Sequence, residues 1–485
     1  MIGKILREST IYGIVGALSA FTGTFVTPIY TRMFDPSDYA ILDFLIASLV
    51  ILTIISGAWI DAGLARNYYL AKESDEIDAL ISTGIILSVI SIAAFVVLSI
   101  ATYLIFLEGF ANTNWSTILP LLVILLPRRL HVFALQIFRL GHDPKNFLII
   151  AIGQIIVSTS LSIWFGILWG FVGVLWAYAV GRFIFAIVGL FILRSQVKFH
   201  FDFRMAKQAL VFGIPLLPAF LSQWVQNYAG RIILIATVTL TQVSHFSLAL
   251  KIASFASIFL LAFNQAWIPY YNEMLDRPEG GQQFPRMLNY YLIGMLFVAI
   301  GISAFSNILV QLFGTIEYLP AVPLITFIAM GIIWDGSLKI IDAGISKVRK
   351  TQWTGYAVLI GWLVYLVTSM TLVSWYGPIA IAMSYLVGTS MTALLILYFA
   401  QKLCPMPYNK TIICGTFIAS WVISFSNIFI FSKFESSNVR DLTPAMISLS
   451  FGLAVWLLLV WRFIQTEDID SIKEMAVSYL QKQKR

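Results

Sequence analysis

Residues 146–193 read NFLIIAIGQIIVSTSLSIWFGILWGFVGVLWAYAVGRFIFAIVGLFIL, a run with one charged residue, Arg182. A membrane-crossing helix needs about 20 apolar residues, so the run suffices for two, at 146–168 and 171–193. Its centre, 169–170, carries no Lys or Arg, whereas Arg139 and Lys145 precede it and Arg194, Lys198, Arg204 and Lys207 follow it. Basic loops stay on the cytoplasmic side. The stretch therefore reads as a hairpin that leaves the cytoplasm and returns to it.

The same pattern extends in both directions. Apolar runs recur at 9–33, 40–62, 79–106, 115–138, 146–168, 171–193, 207–232, 240–270, 287–311, 319–345, 353–375, 377–400, 411–432 and 443–463. Twenty-two of the 31 basic residues fall in alternate gaps between them; the gaps at 107–114, 169–170, 312–318 and 376 have none. Lys433 and Arg440 are the exceptions, in one outer loop. This asymmetry predicts an even number of spans with both termini cytoplasmic. The continuous apolar runs exclude a β-barrel, whose strands alternate. The chain is 59% hydrophobic and 11% charged, against roughly a quarter charged in a soluble domain. The net charge of +7 lies in cytoplasmic loops, so it sets orientation and attracts anionic lipid, not nucleic acid. Cys404 and Cys414 form neither a disulfide framework nor a metal site.

The chain also repeats. Gly13 corresponds to Gly213, Arg32 to Arg231, Ala58-Trp59 to Ala266-Trp267, Leu119-Pro120 to Leu319-Pro320, and Gly141 to Gly344, all at offsets near 200. The fold class is accordingly an all-α polytopic membrane protein of about 14 transmembrane helices. Two pseudo-symmetric six-helix lobes, 1–200 and 201–402, precede two additional helices, 403–465, and a cytoplasmic amphipathic tail, 466–485. Parallel repeats of this kind are a transporter architecture.

Charges within the spans sharpen that reading. Arg32, Arg128, Arg129, Arg182, Arg231, Lys251 and Lys339 lie within or at the ends of spans, against Asp43, Asp61, Asp335 and Asp342. A buried charge costs about 2.5–3.5 kcal/mol on insertion scales, so some must be paired. Lys339 sits four residues after Asp335 and three before Asp342, which can neutralise it. Arg32 has Asp35 and Asp38 nearby, and Arg182, after Gly181, reads either as a structural pairing residue or as cavity-lining. Arg128 and Arg129 are adjacent, after Pro127, so they point about 100° apart and cannot share one partner. Lys251 has no carboxylate within a turn, and Asp43 is its candidate partner across the lobes. Two readings stay open here: helix–helix salt bridging, or a wet cationic cavity suited to phosphate. Prolines at 28, 120, 127, 215, 218, 269, 320 and 323 supply bends, although membrane helices tolerate them. His131, inside a span, reads as packing, with a proton relay as the alternative. There is no Gly-Lys-Ser/Thr phosphate loop and no triad or paired-carboxylate constellation, so neither an ATP engine nor an enzyme is expected.

Several motifs in order resemble the polysaccharide-transporter flippases (O-antigen and lipid-linked oligosaccharide flippases) of the multidrug/oligosaccharidyl-lipid/polysaccharide exporter superfamily. They are Thr27-Pro28-Ile29-Tyr30-Thr31-Arg32 with Asp38-Tyr39, Gly63-Leu64-Ala65-Arg66-Asn67-Tyr68, Phe212 to Pro218, Arg231-Ile232-Ile233, Ala249-Leu250-Lys251-Ile252-Ala253 and Trp267-Ile268-Pro269. The sequence departs from the family pattern at Gly230, Tyr39-Ala40 and His245-Phe246. The resemblance implies a flippase that moves an undecaprenyl-diphosphate oligosaccharide across the bacterial inner membrane by alternating access, for surface polysaccharide such as lipopolysaccharide O-antigen. It implies headgroup contacts at Arg32, Arg129 and Lys251, then Arg128 and Arg66, with Asp61 for ion coupling. It further implies proton or sodium coupling, no cofactor, contact with membrane lipids and a polysaccharide polymerase as partner. Two rivals stand beside it. A drug/cation antiporter of the same superfamily calls for an acidic cavity. A membrane-embedded polymerase or glycosyltransferase calls for a large outer loop with catalytic residues.

Overall fold

The computed structural model describes residues 15, 18, 22–102, 115–198, 200–275, 277, 280–433 and 442–466. Apart from Thr466, the expected amphipathic tail lies outside these residues, as do Lys4, Arg7, Arg440 and the outer gap 107–114.

Eleven helical stretches among the described residues are long and apolar enough to cross a membrane. One of them, Pro144–Gln196, contains two crossings, and residues 22–33 and 203–237 add two further helices. Among the described residues the protein is thus an all-helical, multi-pass membrane bundle with a helix in each of the fourteen expected spans and a short further helix, Ser306–Phe313. The helices in the expected spans are α1 (22–33), α2 (Pro36–Glu73), α3 (Ile77–Thr102), α4 (Trp115–Leu140), α5 (144–168), α6 (171–193), α7 (203–237), α8 (240–274), α9 (Gly280–Ala304), α10 (Ile316–Lys347), α11 (Gln352–Tyr376), α12 (Pro378–Leu403), α13 (Lys410–Lys433) and α14 (Thr443–Thr466).

Local chemistry sets the ends. The hairpin of residues 146–193 turns at Trp169 and Gly170, where Gly170 adopts φ +64. A side chain there would be strained, and glycine is not. Asp143 caps α5 by accepting from the Asn146 backbone N–H at 3.1 Å, ahead of Pro144. Asp202 caps α7 in the same way through Arg204 and Met205. Inside α2, residues Ile54–Ala58 form a π turn. The Ser91 hydroxyl of α3 donates to the Ser56 carbonyl there at 2.6 Å.

The chain divides into two compact units, Met1–Ser244 and His245–Arg485. In the first, Ile60 and Leu64 of α2, Ile81 of α3, Phe133 of α4 and Ile150 of α5 share one core. The first half of α7 belongs to it. Gly63 of α2 lies against the Ala209 backbone, and Gly213 lies against the Trp59 carbonyl, so neither position has room for a Cβ. This unit therefore runs past residue 200, the boundary expected from the sequence repeat. In the second unit α10 is the central helix, buried along most of its length between α9, α12 and α13. The last two helices pack within the same unit. Asn427 of α13 donates to Thr326 of α10 at 3.1 Å and accepts from Ser448 of α14 at 2.6 Å.

Candidate functional site

The first unit holds a half-open cavity of about 410 Å³, lined by α1, α2, α4, α5 and α6. Helix periodicity explains its lining. On α4, Arg128, His131, Val132 and Leu135 recur at one-turn spacing, as do Gln154 and Ser158 on α5 and Tyr178 and Arg182 on α6. Among the described residues the lining has two guanidiniums, an imidazole, an amide and several hydroxyls, and no carboxylate.

Two arginines line the cavity. Arg128 and Arg182 form no ion pair among the described residues, and their Nε atoms are buried without a hydrogen-bond partner. Both ring nitrogens of His131 are likewise buried and unmatched. Gln154 donates to Ser158 at 2.9 Å. Tyr30 of α1 donates to Ser162 at 2.7 Å and lies 3.3 Å from the Tyr178 hydroxyl, which ties α1 to the α5–α6 hairpin beside the cavity. Forked N–H donors with no internal acceptor suit a multivalent oxyanion.

The remaining charged candidates stand elsewhere. Arg129, 1% exposed, donates to both carboxylate oxygens of Asp61 at 2.7 and 2.8 Å and through Nε to Ser88 at 3.0 Å. The residue expected to hold the headgroup and the residue expected to couple an ion are thus each other's partners. Arg231 pairs with Asp43 at 2.6 Å, with side chains 8% and 6% exposed, and its guanidinium lies over the Tyr228 ring at 5.2 Å. Arg32 is exposed at the end of α1 and donates to the Pro28 carbonyl at 2.9 Å. Arg66 is exposed, with its guanidinium 5.5 Å from the Phe212 ring centre. Lys251 is half-buried on α8, in the second unit.

The expected self-neutralisation around Lys339 is not seen. Its side chain is exposed and makes no ion pair among the described residues, while Asp342 accepts from Ser346 and Thr354. Arg182 is the residue the sequence underweighted. Its signal was a cation in the second half of an otherwise uncharged hairpin, with no carboxylate anywhere on its own helix.

A multi-pass helical bundle with a cationic cavity in its N-terminal unit defines a class of membrane protein, and the sequence specifies which. The chain belongs to the polysaccharide biosynthesis protein family, whose model matches residues 5–275. The fold is similar to that of lipid II flippase MurJ in its inward closed conformation, with a TM-score of 0.69, 14% identity, and coverage of 94% of this chain and 99% of that one. It is also similar to a multidrug resistance MATE family transporter of the MOP superfamily. The inward-facing conformation gives a TM-score of 0.61 and 14% identity, covering 79% of this chain and 94% of that one. The outward-facing conformation gives 0.57 and 12%, covering 82% and 95%. Identities this low speak for the fold alone. Among curated proteins none matches the sequence. The resemblance read from the motifs is thus borne out.

Proposed function

We propose that the protein is a flippase for a lipid-linked oligosaccharide, carrying an undecaprenyl-diphosphate glycan from the cytoplasmic to the outer leaflet of the bacterial inner membrane for surface polysaccharide synthesis. The observation that carries this reading is the pairing of Arg128 and Arg182 in a cavity with no carboxylate among its described lining residues. A diphosphate supplies the acceptors that the two guanidiniums lack, and the prenyl chain stays in lipid. At about 410 Å³ the cavity is near the lower end of ligand pockets, roughly 300–1,000 Å³. It suits a headgroup rather than a whole glycan.

In this scheme the repeat-defined lobes, 1–200 and 201–402, alternate access, with residues 203–213 carried by the first, both termini are cytoplasmic, and a proton or sodium gradient drives export. Arg32, Arg66 and Lys251 serve as further headgroup contacts, and a polysaccharide polymerase receives the product. The rival drug/cation antiporter needs a carboxylate in its cavity to hold a cation. The reading is tested on the purified full-length protein in lipid nanodiscs, titrated with undecaprenyl diphosphate, undecaprenol and tetraphenylphosphonium. Saturable binding of the diphosphate alone is expected. Binding of tetraphenylphosphonium with no response to the diphosphate would overturn the reading in favour of the antiporter.

A further inference from the structure

The cavity explains Arg128 and leaves its neighbour unexplained. Arg129 is among the most completely buried large side chains, and it touches residues on two other helices. Its fork closes on Asp61 of α2, and its Nε reaches Ser88 of α3, whose own hydroxyl donates to the Gly84 carbonyl at 2.7 Å. The seat has been cleared for it. A Cβ on Gly57 would stand 2.6 Å from Arg129 Cδ and Nε, and Gly57 lies in the π turn of α2. Three charge-assisted bonds to two neighbouring helices thus hold this one position of α4.

Helix geometry connects that seat to the cavity. At about 100° per residue, Ile124, Arg128, His131, Val132 and Leu135 fall within an arc of about 100° centred about 110° from Arg129. These are the α4 residues that line the cavity. Pro127, immediately upstream, removes one backbone hydrogen bond from α4 and loosens it against rotation. We infer that Arg129 and Asp61 are positioning residues. Their ion pair locks the rotation of α4 after Pro127 and so directs Arg128 and His131 into the cavity, although neither Arg129 nor Asp61 lines it.

This inference rests on the flippase reading only for the identity of the ligand, and its main readout needs no ligand. The full-length protein carrying Cys404→Ser and Cys414→Ser receives a single cysteine, Leu135→Cys on the cavity arc or Leu130→Cys on the far side of α4. Each is labelled with a small anionic thiosulfonate in membranes. With the ion pair intact, the cysteine at 135 reacts faster than the one at 130. In Asp61→Asn, and in Arg129→Gln, that rate ratio falls toward one and undecaprenyl diphosphate affinity falls with it. Asp61→Glu, which keeps the carboxylate, restores most of the ratio. An unchanged ratio in both variants overturns the inference, whatever the affinity does. If either variant fails to accumulate, Ser88→Ala, which removes one of the three bonds, takes its place: a partial fall in the ratio supports the lock, and an unchanged ratio overturns it. Wild-type protein that binds no diphosphate, yet shows the fall in ratio, sinks the flippase reading and leaves the positioning role standing.

Discussion

Arg182→Met separates binding from folding more sharply than any other substitution. Methionine keeps much of the side chain's apolar length, so little packing is lost. It removes a cation that has no ion-pair partner among the described residues and whose Nε is buried and unmatched. An ionised residue at the centre of a span costs about 2.5–3.5 kcal/mol on insertion scales. No carboxylate is orphaned by the change, so part of that cost is recovered and the ligand-free protein becomes more stable, by about 1–2 kcal/mol once lost contacts of the stem are discounted. Binding moves the other way. Hydrogen bonds to a charged group contribute about 1.5–3 kcal/mol, so undecaprenyl diphosphate should bind about 10- to 150-fold more weakly. The two measurements are a thermal unfolding transition of the purified protein without ligand and a binding titration on the same preparation. A lower unfolding temperature with unchanged affinity would refute the reasoning, because it would make the guanidinium a structural element.

Two contrasts follow from the paired and polar positions. Arg231→Met leaves Asp43 as a buried carboxylate deprived of its partner and should cost about 3–5 kcal/mol, read as reduced accumulation and a lower unfolding temperature, with partial recovery on adding Asp43→Asn. Asn427→Leu removes the link between α10, α13 and α14 and should cost about 0.6–1.7 kcal/mol, measured by unfolding, without altering diphosphate affinity.

Much of the fold was legible because membrane insertion writes a strong code. Length, continuous apolarity and the side on which basic residues lie are local properties, and α5 and α6 could be placed from residues 146–193 alone. The turn at Gly170 fell at the predicted uncharged gap for the same reason. The site was less legible because charge pairing is set across helices. Adjacent arginines at 128 and 129 could be told apart in direction but not in destination. The deciding partner, Asp61, lies 68 residues away in sequence. Arg231 met Asp43 across a still longer separation, and no pattern along one helix announces either pair. Arg182 was underweighted because a lone arginine in a span is more often salt-bridged than left open, and only the packing of α4 against α6 shows which case holds.

The contacts at Gly63 and Gly213 reach beyond local packing. Where main chain rests directly on main chain, no flexible side chain remains to act as a bearing, and two surfaces that meet in this way cannot glide. Residues 203–213 are therefore freight on α2: a displacement of Trp59–Glu73 would haul that stretch along, and the first break in its helix lies downstream, at the proline-bearing turn Ile214–Leu216.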